Sequence, residues 1–97
     1  MNDFISVSYF AIFQFENDGI NISFPDLPGC LSCAFSEEQA DYMAKDALSL
    51  WLDGMRFEDL PKPTPADSFA LKPGEKAVAV TARIQVNDGC FVGIRKE

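Results

Sequence analysis

Phe24-Pro25-Asp26-Leu27-Pro28-Gly29-Cys30 decides how this chain is read. Two prolines, a glycine and an aspartate in seven residues allow neither a helix nor a central strand, because each proline fixes φ and lacks an N–H donor. The segment is therefore a stiff connector, and the chain on either side of it is legible. Upstream, Asp18-Gly19 divides two apolar-rich runs, the sign of a tight hairpin. Downstream, Ser36-Glu37-Glu38-Gln39 has the form of a capping box, in which Ser36 and Gln39 satisfy each other's backbone N–H groups at a helix start.

Working outward, Ser8 to Phe15 reads as a strand with Tyr9, Ala11, Phe13 and Phe15 on one side and Phe10, Ile12 and Gln14 on the other. Apolar residues on both sides predict a central strand, covered over part of each face. Ile20 to Phe24 alternates as a half-buried partner, and Leu31 to Phe35 is a short third strand. A helix is expected from Glu37 to Leu52, with Ala40, Met43, Ala44, Ala47, Leu48 and Trp51 on its buried face. Asp41, Lys45, Asp46, Ser49 and Asp53 fall on the opposite side, and Gly54 stops the helix. Pro61, Pro63 and Pro65 make Asp59 to Pro65 an extended return to the sheet. Lys76 to Val86 alternates cleanly as a strand, Asn87-Asp88-Gly89 turns the chain, and Cys90 to Ile94 adds a short last strand. The expected class is α+β: a two-layer β-β-β-α-β domain with one helix on a mainly antiparallel sheet.

The chain has 97 residues, 47% of them apolar, enough for a single core. Residues 1–60 hold two basic against eleven acidic side chains, and residues 61–97 hold six against four, giving the net charge of −7. Affinity for nucleic acid rests on cations at phosphates, so this balance disfavours RNA or DNA as a partner and favours something basic. No apolar run is long enough to span a bilayer, and Met1-Asn2-Asp3 lacks the positive start of a signal peptide. Three cysteines, an odd number, argue against a secreted disulfide framework. A cytoplasmic protein is expected.

Catalytic signatures are missing. There is no histidine, no phosphate loop and no dinucleotide fingerprint. Cys30-x-x-Cys33 has no second pair to complete a zinc site, and both thiols read as structural. The strand order matches the start of a ribonuclease H domain, but Ser8 to Phe15 contains no carboxylate to hold a metal ion. The chain is read as a non-enzyme without metal or cofactor.

These pieces together resemble the HicB-like antitoxins, in their N-terminal domain. The likeness is carried by Tyr9-Phe10-Ala11-Ile12-Phe13, Glu16-Asn17-Asp18-Gly19, the proline segment from Phe24 to Cys30 and Ser36-Glu37-Glu38-Gln39-Ala40. Ala44-Lys45-Asp46-Ala47-Leu48 and Leu60-Pro61-Lys62-Pro63 complete it, so that it runs from about residue 8 to residue 86. The resemblance implies a partial ribonuclease H-like fold without catalysis. It also implies an antitoxin of a type II pair that binds and neutralises a small basic HicA-type toxin, which degrades mRNA. Glu16, Asp18, Asp26, Leu27, Pro28, Glu37, Glu38 and Asp41 are the candidate partner-binding residues.

Residues 1–97 are read as one such domain. The helix-turn-helix or ribbon-helix-helix segment of many relatives has no counterpart in Asn87 to Glu97, so direct DNA binding is not expected. The apolar Leu31 to Phe35 edge points to a homo-oligomer, a dimer or higher. The alternatives are a stand-alone regulatory module without a toxin and an RNA-binding protein using Lys62, Lys72, Lys76, Arg83, Arg95 and Lys96.

Overall fold

A computed structural model describes residues 3–92. Five strands form one antiparallel sheet: β1 Asp3–Glu16, β2 Gly19–Ser23, β3 Leu31–Ala34, β4 Glu75–Asn87 and β5 Cys90–Val92. Their spatial order is β3-β2-β1-β4-β5, so the strand with two apolar faces is central, as its sequence requires. Among the described residues one α-helix, α1 Glu37–Leu52, covers one face.

β1 begins five residues earlier than its apolar run suggests. Ile5, Val7 and Tyr9 continue the inward alternation, while Ser6 and Ser8 lie on the face without a helix, where hydroxyls keep water or each other. Ser8 Oγ and Thr81 Oγ1 are 2.7 Å apart across the β1–β4 ladder. The second face is covered only in part, where Phe69 meets Phe10 edge-on at 6.3 Å.

The first hairpin closes with Glu16 opposite Gly19, so Asn17 and Asp18 are its two turn residues, one position earlier than Asp18-Gly19. Gly19 is needed for contact rather than for the turn: a Cβ there would lie 2.8 Å from the Ala34 carbonyl oxygen of β3. The second hairpin turns at Asp88-Gly89, both with positive φ, the type I′ geometry that suits strand twist. Residues 93 and 94 of the expected last strand lie outside the described residues.

α1 has the limits its sequence indicates. Ser36 Oγ accepts from the Gln39 N–H at 3.2 Å. The reciprocal bond differs from a regular capping box: Gln39 Oε1 accepts from the N–H of Phe35, one residue before the cap. That bond ends β3 at Ala34. At the other end Gly54 adopts φ of 86° and its N–H donates to the Phe91 carbonyl, docking the helix terminus on β5. Ala40, Ala44, Leu48 and Leu52 are buried, with Met43, Ala47 and Trp51 packed partly against the core. Burying Leu48 fully contributes about 2–3 kcal/mol. Ser49, placed by periodicity on the outer side, is buried. On this flank Ser49 shares a concavity with Thr81, Ala82 and Arg83 of β4, which shield it from water.

After α1 the chain makes two short 3-10 turns, Phe57–Asp59 and Ala66–Ser68, on either side of the extended proline stretch. It arrives beside the end of β1, where Phe15 N–H donates to the Gly74 carbonyl. β4 therefore starts where β1 stops and runs antiparallel to it, with Gln14 opposite Glu75 and Asp3 opposite Val86. No helix among the described residues is long and apolar enough to cross a membrane.

Candidate partner-binding surface

The eight candidate residues divide between the two ends of α1. Trp51, in its last turn, donates from Nε1 to the Pro28 carbonyl at 3.1 Å. Glu37 and Glu38 occupy its first turn. Fourteen residues at 1.5 Å each separate these ends by about 20 Å. The proline loop and the acidic cap are thus two places.

At the N-terminal end, the β1–β2 turn folds up to the helix start. Glu16, Asp18 and Glu37 line one concavity of about 510 Å³ with Phe15, Asn17, Ile20 and Phe35. Phe35, at 85% exposure, forms an apolar wall beside the carboxylates. Glu38 and Asp41 continue the acidic surface along the outer side of α1, next to the exposed Tyr42. Glu37 is 3.8 Å from Lys76 Nζ, and Asp41 is 3.5 Å from Lys45 Nζ. Both pairs are exposed, and such contacts contribute little and are readily exchanged. No ion pair joins Glu16, Asp18 or Glu38 to a cation among the described residues. Negative charge is therefore available to a partner, strengthened by low competition from neighbouring cations.

At the C-terminal end, the loop is engaged within the domain. Asp26 accepts from Thr64 through both oxygens, from the N–H at 2.7 Å and from Oγ1 at 2.6 Å. Leu27 is wholly buried, and its N–H donates to the Phe24 carbonyl. Pro25, Pro28 and Gly29 remain exposed. The Tyr9 hydroxyl donates to the Pro61 carbonyl, so the proline connector is held at two points to the sheet and loop. Burial raises the Tyr9 phenol above its ordinary range, with a smaller contribution from the nearby Asp26 carboxylate.

Phe15, Phe35 and Tyr42 are surface aromatics. The sequence reading places Phe15 in the first strand and Phe35 at the end of the third, and does not single out Tyr42. Phe35 in fact stands just past β3 and just before the capping serine.

The cysteines do not form a unit. Cys30 lies in the core with its Sγ 3.5 Å from the Ala47 carbonyl, and burial pushes its thiol up to about 11. Cys33, at odd spacing along the strand, faces the other side and is exposed. Among the described residues, no three histidine, cysteine or acidic side chains are gathered to hold a metal ion.

A protein from Haemophilus phage HP1, described as an uncharacterized 14.9 kDa protein in the rep-hol intergenic region, is 39% identical over 67 residues. That stretch covers 67% of this chain and 50% of the relative, so the chain spans about half the length of the curated relative it matches. The sequence model of the HicB-like antitoxins of bacterial toxin–antitoxin systems matches residues 9–89, from the central strand to the last hairpin. The chain belongs to the HicB-like antitoxin family.

Proposed function

We propose that this chain is a cytoplasmic antitoxin that neutralises a small basic HicA-type mRNA-degrading toxin by occupying its cationic RNA-binding surface, and that it performs no catalysis itself. The observation that carries this reading is the concavity where Glu16, Asp18 and Glu37 meet beside Phe15 and Phe35, in a chain of the antitoxin family. The carboxylates take the place of RNA phosphates and steer a cationic partner, and the aromatics supply desolvated contact area. Glu38 and Asp41 extend the same surface. Asp26, Leu27 and Pro28 contribute by holding the scaffold, with the exposed prolines as a secondary ledge. The partial ribonuclease H-like fold implied by the family is read as architecture alone, since the interior of β1 has no carboxylate.

RNA binding by this chain is disfavoured. Among the described residues, Arg83 lies over the Phe4 ring at 5.1 Å and Lys76 is next to Glu37, so these two cations are already engaged within the domain. The test is charge reversal: Glu16→Lys, Asp18→Lys and Glu37→Lys together should slow association with the toxin at low salt by about tenfold or more, with the effect shrinking as salt rises. Unchanged association, with the variant folded, would refute this placement of the site.

A further inference from the structure

β4 is 13 residues long, yet β5 covers only its last part, pairing with Gln85, Val86 and Asn87. Phe15, in β1, donates its N–H to the Gly74 carbonyl just before β4. Backbone groups alternate in direction along an antiparallel ladder, so Ala11, Tyr9 and Val7 also turn theirs to β4, where Val78, Val80 and Ala82 stand opposite them. The N–H and C=O groups of Ala77, Ala79, Thr81 and Arg83 therefore turn the other way, in line with β5. Among the described residues no segment pairs with them. α1 runs alongside this edge. Glu37 is beside Lys76 at one end, and at the other Tyr42, Lys45 and Ser49 share a concavity of about 370 Å³ with Thr81 and Arg83. Glu37, Asp41, Lys45 and Ser49 form one row at a spacing of four, about 18 Å long, against about 20 Å from Lys76 to Ala82.

We propose that the bare edge of β4 receives an extended segment of the cationic toxin as a further strand; this rests on the antitoxin reading and says how the partner is held. Edge addition supplies affinity through main-chain hydrogen bonds and specificity through alternate side chains. β5 shows the geometry: Phe91, opposite Val86, is buried, while its neighbour Val92 is exposed. An incoming strand opposite Val78, Val80 and Ala82 likewise points alternate side chains at α1. There it meets Glu37, Glu38, Asp41 and Asp46, with Lys45 and Lys76 as the cations on that side, four carboxylates against two ammonium groups. Basic residues at every second position match this row, and the exposed Tyr42 is an apolar wall beside them. A second copy would instead set two acidic rows together. The concavity of Glu16, Asp18 and Glu37 meets the edge at Glu37, so the two form one continuous surface.

The test follows amide hydrogen exchange by NMR in the full chain, alone and bound to a HicA-type toxin. In the free chain the amides of Ala77, Ala79, Thr81 and Arg83 should exchange quickly and those of Val78, Val80 and Ala82 slowly. In the complex the first four should slow by at least about tenfold. Ala79→Pro removes an N–H that has no partner in the free chain, a change that a bare edge tolerates. It should leave the melting curve near wild type and weaken toxin binding by about tenfold or more. Should the proline variant unfold, the exchange pattern of the wild type decides alone. A complex with silenced cleavage in which the four amides stay fast would overturn the proposal and leave the antitoxin reading standing. So would a folded Ala79→Pro that binds as tightly as wild type. Four amides already slow in the free chain would overturn it too, because another part of the chain or a second copy would then cover the edge. Absence of any complex would end both readings.

Discussion

Replacing Asp26 by alanine separates the scaffold from the interface more sharply than any other single change. Thr64 is 38 positions from Asp26 in sequence and meets both carboxylate oxygens, so the substitution removes two bonds at once. Hydrogen bonds to a charged acceptor contribute about 1.5–3 kcal/mol each, and partial exposure of this pair lowers the sum to about 2–3 kcal/mol. For a domain of this size that is a fall in Tm of roughly 10–20 °C. Urea unfolding should show a lower midpoint with an unchanged slope, since the surface exposed on unfolding stays the same. Thr64→Val, which removes only the hydroxyl, should cost about 1 kcal/mol and couple to Asp26→Ala by a similar amount in a double-mutant cycle. Below melting, toxin affinity of Asp26→Ala should stay close to wild type. A variant with normal stability and lost toxin binding would refute the reasoning, because Asp26 would then face the partner rather than Thr64.

Further expectations concern the turns, the cap and the thiols. Gly19→Ala places a Cβ 2.8 Å from the Ala34 carbonyl oxygen and should destabilise by about 1–3 kcal/mol, measured by urea titration. Ser36→Ala removes the cap bond to the Gln39 N–H and should cost about 1 kcal/mol, seen as a Tm lower by roughly 4–8 °C. In a thiol titration of the native protein, Cys33 should react ahead of Cys30, which should react only on unfolding. The same Cys30 thiol, held protonated in the fold, makes stability pH-dependent at the alkaline end. Its pKa is raised from 9.0 to about 11, so the contribution is complete below pH 9 and is lost as pH rises through 11. Tyr9 acts in the same direction, and urea midpoints measured across this window should fall steadily.

What could be read from the sequence was what local chemistry determines. Ser36 and Gly54 mark both ends of α1, and strict alternation from Val78 to Val86 identifies β4. The central position of β1 followed from its two apolar faces. Three things needed the third dimension. The clamp between Asp26 and Thr64 joins distant segments, and neither residue carries a local sign of the other. Ser49 is polar and off the apolar stripe, yet it is buried where its flank of α1 meets Ala82 of β4. Ser6 and Ser8 hid the first part of β1, because their hydroxyls interrupt an apolar run while keeping its period of two. The candidate site was legible as composition but not as place: Glu16, Asp18 and Glu37 converge only because the first hairpin folds against the helix start, and Asp26 and Leu27 are drawn elsewhere.

The central claim is the proposed neutralisation of a toxin, and its most direct test is co-expression with a small basic HicA-type ribonuclease. Co-purification and RNA cleavage are followed in the same sample. The account predicts a stable complex with cleavage silenced, and cleavage restored when Glu16, Asp18 and Glu37 are reversed in charge. A fully active ribonuclease that does not retain this chain would contradict it.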